Sequence, residues 1–105
     1  MTAQELTAAV RRLFGHVSHW TPPRWAAFGV SGVPRRETVS ALIQHLADLG
    51  AAAEGGPRRV VPAPDSDLVL PDQLRVVADD LIAAAPGTEV LARAATQVTA
   101  AHRAL

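Results

Sequence analysis

Apolar residues recur at steps of three and four in most of this chain, the spacing of one helix face. The clearest case is residues 34–50, where Val39, Leu42, Ile43, Leu46 and Leu49 form a stripe and Glu37, Ala41, Gln44 and Asp48 form the opposite, wet side. Pro34 suits a first helical turn, because its missing N–H would have no intrahelical partner there. Gly50 suits a helix end; the alternative is a helix continuing through 51–54 until Gly55-Gly56-Pro57 stops it.

Three further helices follow from the same rule. Residues 2–17 carry Leu6, Val10, Leu13, Phe14 and Val17, opened by the Thr2-x-x-Glu5 capping-box pattern. Residues 71–85 start at Pro71 and carry Leu74, Val77, Ala78, Leu81, Ile82 and Ala85, with Arg75 and Asp79 as an i,i+4 pair. Residues 88–105 start with Thr88 as cap and carry Leu91, Ala94, Ala95, Val98, Ala101 and Leu105. Pro86-Gly87 between them reads as a short loop, so 71–105 is expected to be an αα-hairpin. Thr21-Pro22 signals a short helix over 22–28, stopped by Gly29, and 29–33 reads as a flexible connection. Between the second and third periodic stretches, Pro62, Pro64 and Pro71, with Asp65, Ser66 and Asp67 between them, exclude a helix across 62–70. Arg58-Arg59-Val60-Val61 looks extended, and Leu68-Val69-Leu70 is expected to tuck the crossing onto the core. The expected fold is all-α: one domain over residues 1–105, a bundle of four main helices with a short extra helix and a Pro-rich crossover loop.

Composition narrows the chemistry. At 105 residues a modest core can form without cross-links. The absence of cysteine excludes disulfides, thiolate metal sites and thiol nucleophiles. No apolar run approaches the roughly 20 residues that span a bilayer, and the N-terminus lacks the pattern of a signal peptide. The expectation is therefore a cytoplasmic protein with no membrane association. Every basic residue is arginine, which with the many alanines fits GC-rich, bacterial-like coding. Net charge is zero but uneven. Residues 1–62 carry seven Arg against four acids, and residues 63–105 carry three Arg against six acids. That asymmetry suits two halves that face each other, or a partner, with complementary fields.

The most individual stretch is Ser18-His19-Trp20-Thr21-Pro22-Pro23-Arg24-Trp25, which holds both tryptophans. One reading is a rigid corner whose indoles close the bundle. The other is a protein-binding surface of Trp20, Arg24 and Trp25, since Trp and Arg are enriched at interaction hot spots. In that second reading Phe28 faces the core, Trp25 is the exposed indole and Trp20 the buried one.

Arg36-Glu37-Thr38-Val39-Ser40, then Leu46 and Gly50, then Arg58-Arg59-Val60-Val61, resembles the recognition helix and wing of Crp-type winged helix-turn-helix regulators. The resemblance covers about 26 residues and implies DNA binding through Arg35, Arg36, Glu37, Arg58 and Arg59, with Arg36 and Glu37 at base edges. The chain departs from that pattern in the long connection 29–35, in Ala41 where a further Arg is expected, and in Ala51 where the wing would begin.

His16 and His19, three apart, invite a metal reading, but no third ligand lies near them in sequence. Asp65-Ser66-Asp67 lacks the glycine and distal glutamate of a calcium loop. Gly55-Gly56 is followed by no Lys-Ser/Thr, and no Gly-x-Ser-x-Gly is present. The expectation is a non-enzymatic interaction or regulatory module with a protein partner and no cofactor, catalytic residue or metal. A DNA-binding regulator is the alternative.

Overall fold

The computed structural model describes residues 2–105, with only the backbone of Thr2. Five helices form: α1 (Thr2–Val17), α2 (Pro22–Ala26), α3 (Arg35–Ala53), α4 (Leu70–Ala83) and α5 (Thr88–Ala104), with a 3₁₀ turn at Asp67–Val69. Among the described residues there is no β-strand, and the β-type pairing is a single bridge between Phe28 and Pro34. The fold is the all-α bundle that the periodicity predicts.

The four long helices pack as two parallel pairs. In the first, α3 lies on α4. Arg36 near the start of α3 meets Asp67 just before α4 at 3.1 Å, while Gly50 near the end of α3 faces the Leu81 backbone near the end of α4. Parallel neighbours require a connection that runs back along their length, and the proline-rich crossover 54–66 is that connection. In the second pair, α1 lies on α5 with both C-termini at the same end, where His16 meets His102. The expected αα-hairpin is therefore corrected: α4 and α5 follow one another in sequence but pack on α1 and α3 rather than on each other. The linker explains this. Ala85 takes a left-handed φ of 48°, Pro86 follows, and Gly87 is extended, so the chain is steered away from α4 instead of folding back on it.

The stripes bury largely as their spacing predicts. Leu6, Val10, Leu13 and Val17 of α1, Val39, Leu42, Ile43 and Leu46 of α3, Leu74, Ala78 and Leu81 of α4, and Leu91, Ala94 and Val98 of α5 share one core with both tryptophans. Small residues at the contacts let the helices come close: Ala9 of α1 and Ala94 of α5 are buried, as is Gly50 of α3. Phe14 is only half-buried and is roofed by the Arg75 guanidinium, 5.0 Å above its ring. Arg75 thus lies on an aromatic face of α1 instead of forming the expected pair with Asp79.

Several helix ends differ from their sequence signals. Pro34 is the N-cap of α3 rather than its first residue, with an extended ψ of 135° that lets it pair with Phe28. Of the two readings at Gly50, the continuing helix is the one that forms. Its end is a Schellman motif: Gly55, at φ +71°, donates to Ala52 O, and Gly56 donates to Ala51 O. Gly87, not Thr88, is the N-cap of α5. Ala85 lies beyond α4 and is not on its stripe. The capping box of Thr2 and Glu5 rests on the Thr2 side chain, which lies outside the described residues. In the trio Leu68-Val69-Leu70 only Leu70 reaches the core. Ser66 Oγ accepts from Leu68 N and opens a 3₁₀ turn that leaves Leu68 and Val69 outside.

Candidate functional site

The Trp corner starts with α2, five residues begun by Pro22-Pro23 and ended when Ala27 turns extended at ψ 152°. That early stop decides which aromatic faces inward. Trp25 is 0% exposed and Trp20 6%, whereas Phe28 is 67% exposed. The expectation of an exposed Trp25 and a core-facing Phe28 is therefore inverted. An indole offers more apolar area than a benzyl ring, and the position one turn into α2 is the one that reaches the core. The two indoles meet edge to face, with centroids 4.9 Å apart. Trp20 is flanked by the guanidinium of Arg24 at 5.2 Å, that of Arg35 at 5.5 Å, and the His16 ring at 5.3 Å. As a partner site built on Trp25, the corner is lost. It is a structural plug, and of the three residues named for binding only Arg24 is exposed.

What the corner presents instead is the loop that follows it. Phe28, Val30 (80% exposed) and Val33 (39%) stand out from the surface. The loop is not the flexible connection expected from its glycines. Gly29 N donates to Val33 O, Gly32 N to Gly29 O, Ser31 N to Ala104 O, and Arg35 N to Ala27 O. Gly29 sits against the end of α5 so closely that a Cβ there would lie 2.6 Å from Ala104 O. Arg35 completes the tie, its Nε donating to Leu105 O and its Nη1 to Arg24 O, each at 3.3 Å. Three segments hold these apolar side chains in place, and no single sequence window contains all three.

The arginines of the winged-helix reading do not form one surface. Arg35 is spent on backbone carbonyls, and Arg36 pairs with Asp67. Arg58 pairs with Asp48 at 2.9 Å, about 18 Å further along α3 from Arg36 at the α-helical rise. Glu37 and Arg59 are exposed. Residues 58–61 are neither helix nor strand and form no wing, since among the described residues there is no strand for them to pair with. They lie against α3 through Gln44, whose Nε2 donates to Arg59 O and whose Oε1 accepts from Val61 N, both at 2.8 Å. A side-chain amide thus does for this segment what a neighbouring strand would do. The Arg36–Asp67 pair also joins the basic and acidic halves of the chain, in line with the facing-halves reading of the charge asymmetry.

Gln44 and Asp48, assigned to the wet side, are consequently half-covered. Gln44 Nε2 also donates to Asp48 Oδ1 at 2.8 Å, and Arg58 Nε donates to the same oxygen. These two hydrogen bonds, Gln44's first, hold the Asp48 carboxyl below the ordinary aspartate value. Between this segment, the second half of α3 and α4 runs an apolar groove of about 280 Å³, floored by Leu46, Gly50, Ala51 and Val77 and walled by Val60 and Val61.

The histidines do not combine as their sequence spacing suggests. His16 Nδ1 lies 3.0 Å from His102 Nε2, while His19 Nδ1 lies 3.3 Å from its neighbour Ser18 Oγ. Burial, and then the positive fields of His16 and Arg12, hold His102 below the ordinary imidazole range. Among the described residues no three His, Cys, Asp or Glu side chains converge on a common point. Two buried ring nitrogens, Trp25 Nε1 and His45 Nε2, have no hydrogen-bond partner. No helix of the described chain is long and apolar enough to cross a membrane. Set against known protein families, curated proteins and solved structures, the chain matches none of them.

Proposed function

We propose that this chain is a small, non-enzymatic interaction module of the cytoplasm that binds a protein partner through the Phe28–Val33 loop. The observation that carries the reading is that Phe28 and Val30 are exposed on a loop already locked in shape by the ends of α3 and α5. An apolar side chain that gains nothing for the fold, held on a rigid support, loses little entropy when a partner covers it. Arg24, exposed on the helix that leads into the loop, is in neither of the ion pairs Arg36–Asp67 and Arg58–Asp48. The partner surface that complements this corner is an apolar pocket for Phe28 rimmed by carboxylates. With so few anchors the interface is small, of the kind used in transient complexes.

Selection of displayed peptides on the wild-type chain, counter-selected on a Phe28→Ser/Val30→Ser variant, tests the proposal. The expected outcome is enrichment of peptides that combine apolar anchors with Asp or Glu, and loss of their binding to the variant. Peptides that bind both chains equally would refute it. So would Phe28-dependent binding to lipid vesicles without any peptide enrichment, because that would make the corner a membrane anchor.

A further inference from the structure

The contact between His16 and His102 joins residues 86 positions apart, and it uses one nitrogen from each ring. Both residues lie in the last turn of their helices, and α1 and α5 are parallel, so two helix C-termini point at the same place. The carbonyl ends of two helices favour positive charge there. A neutral imidazole nitrogen is also the commonest protein ligand for transition metals.

From this geometry we propose that His16 Nδ1 and His102 Nε2 form a two-imidazole site for a divalent ion of the zinc type. Two bonds of about 2.05 Å to nitrogens 3.0 Å apart subtend an angle of about 94° at the metal, between the square and tetrahedral values. A spread of about 0.3 Å, well within side-chain motion, makes the angle tetrahedral. The ion takes the place of the proton shared between the rings. His16 is exposed, so water or an anion fills the remaining positions. The site has one built-in opponent. The Arg12 guanidinium acts on His102 with a like charge, which weakens cation binding and favours an anionic co-ligand. His19 is not a ligand, although its position three residues after His16 makes it the obvious candidate from sequence.

The test is a titration of the tag-free chain with zinc chloride, followed through the imidazole ring resonances. His16 and His102 signals are expected to move together and saturate at one ion per chain, while those of His19 and His45 stay in place. His16→Ala and His102→Ala should each weaken binding by about tenfold or more, a loss at least as large as that from removing a group that merely supports a ligand. Arg12→Gln should strengthen binding severalfold, an effect that a purely structural histidine pair would not show. Circular dichroism of each variant separates lost ligation from lost folding, and the wild-type titration needs no substitution at all. Failure of the His16 and His102 signals to saturate at millimolar zinc would overturn the proposal. Equal losses from His19→Ala and His102→Ala would overturn it too.

Discussion

Replacing Gln44 with alanine isolates the link between the crossover and α3. By periodicity the substitution is harmless, because position 44 lies opposite the buried stripe. In the structure it removes two hydrogen bonds of 2.8 Å to the backbone at 59 and 61. Each is worth about 0.5–1.5 kcal/mol net, and a covered N–H left unpaired at Val61 costs about 1–3 kcal/mol. The Arg59 carbonyl is exposed and finds water. The sum is about 2 kcal/mol, set mostly by Val61. Because 58–61 can lift away without unfolding the helices, part of the loss should be local. Amide hydrogen exchange reads it directly: a local loss of about 2 kcal/mol accelerates exchange at Val61 by about 30-fold. Amides in the middle of α1 should change less. Gln44→Glu should protect the Val61 amide better than alanine does, because a carboxylate oxygen still accepts from Val61 N. It should protect less well than wild type, because it loses both donors and places a second carboxylate one turn from Asp48. The reasoning fails if the Val61 amide of the wild type exchanges like that of an open peptide, or if Gln44→Ala leaves its rate unchanged.

Other substitutions test other joints. Leu46→Ala should destabilise by about 2–5 kcal/mol in urea melts, the range for truncating a fully buried leucine; a cost near zero would mean that the core is wrongly placed. Gly50→Ala and Ala85→Gly should both raise stability, each by up to about 1 kcal/mol. The first puts a good helix former where a new Cβ meets Leu81 Cα at an ordinary 3.9 Å, and the second relieves a left-handed alanine. A fall in melting temperature for either would contradict the local geometry. Asp48 sets a pH dependence. Its pKa is lowered in the folded chain, so the unfolded chain takes up the proton first as pH falls. Its contribution is therefore complete above the ordinary aspartate value of about 3.9 and drains away as pH falls from there through the lower folded value. Melting curves of wild type and Asp48→Asn should converge in that acidic window. Curves that stay parallel would rule the contribution out.

The candidate sites were legible only in part, and the reason differs from residue to residue. Arg24 could be picked out as an exposed cation beside an aromatic corner. Trp25 could not be placed, because a helix of five residues is too short for periodicity to say which side faces the core. Phe28 faces out for a reason equally hidden from periodicity, because the extended turn at Ala27 that exposes it has no strong residue signature. His16 carried a signal, but it pointed to its neighbour His19. Its contact is His102, brought close by a parallel pairing of the first and last helices. The arginines of the winged-helix resemblance match a local motif, while the acid that occupies Arg36, Asp67, comes from outside it and the one that occupies Arg58, Asp48, lies within it on α3.

The local grammar of the chain determined where the helices are. Steps of three and four mark the faces of α1, α3, α4 and α5, and prolines and glycines mark most of their limits, because these depend on backbone geometry within a few residues. The same grammar determined that the crossover is not helical, since its prolines forbid a helix. Tertiary structure alone decided which helices are neighbours and that Gln44 is a clasp rather than a wet residue. Each of those outcomes depends on a contact between distant segments: the Leu81 backbone beside Gly50, the backbone of 59 and 61 on Gln44, and His102 on His16. Hydrophobic spacing says that a face will be buried but carries no label for what will cover it, because the hydrophobic effect is non-directional.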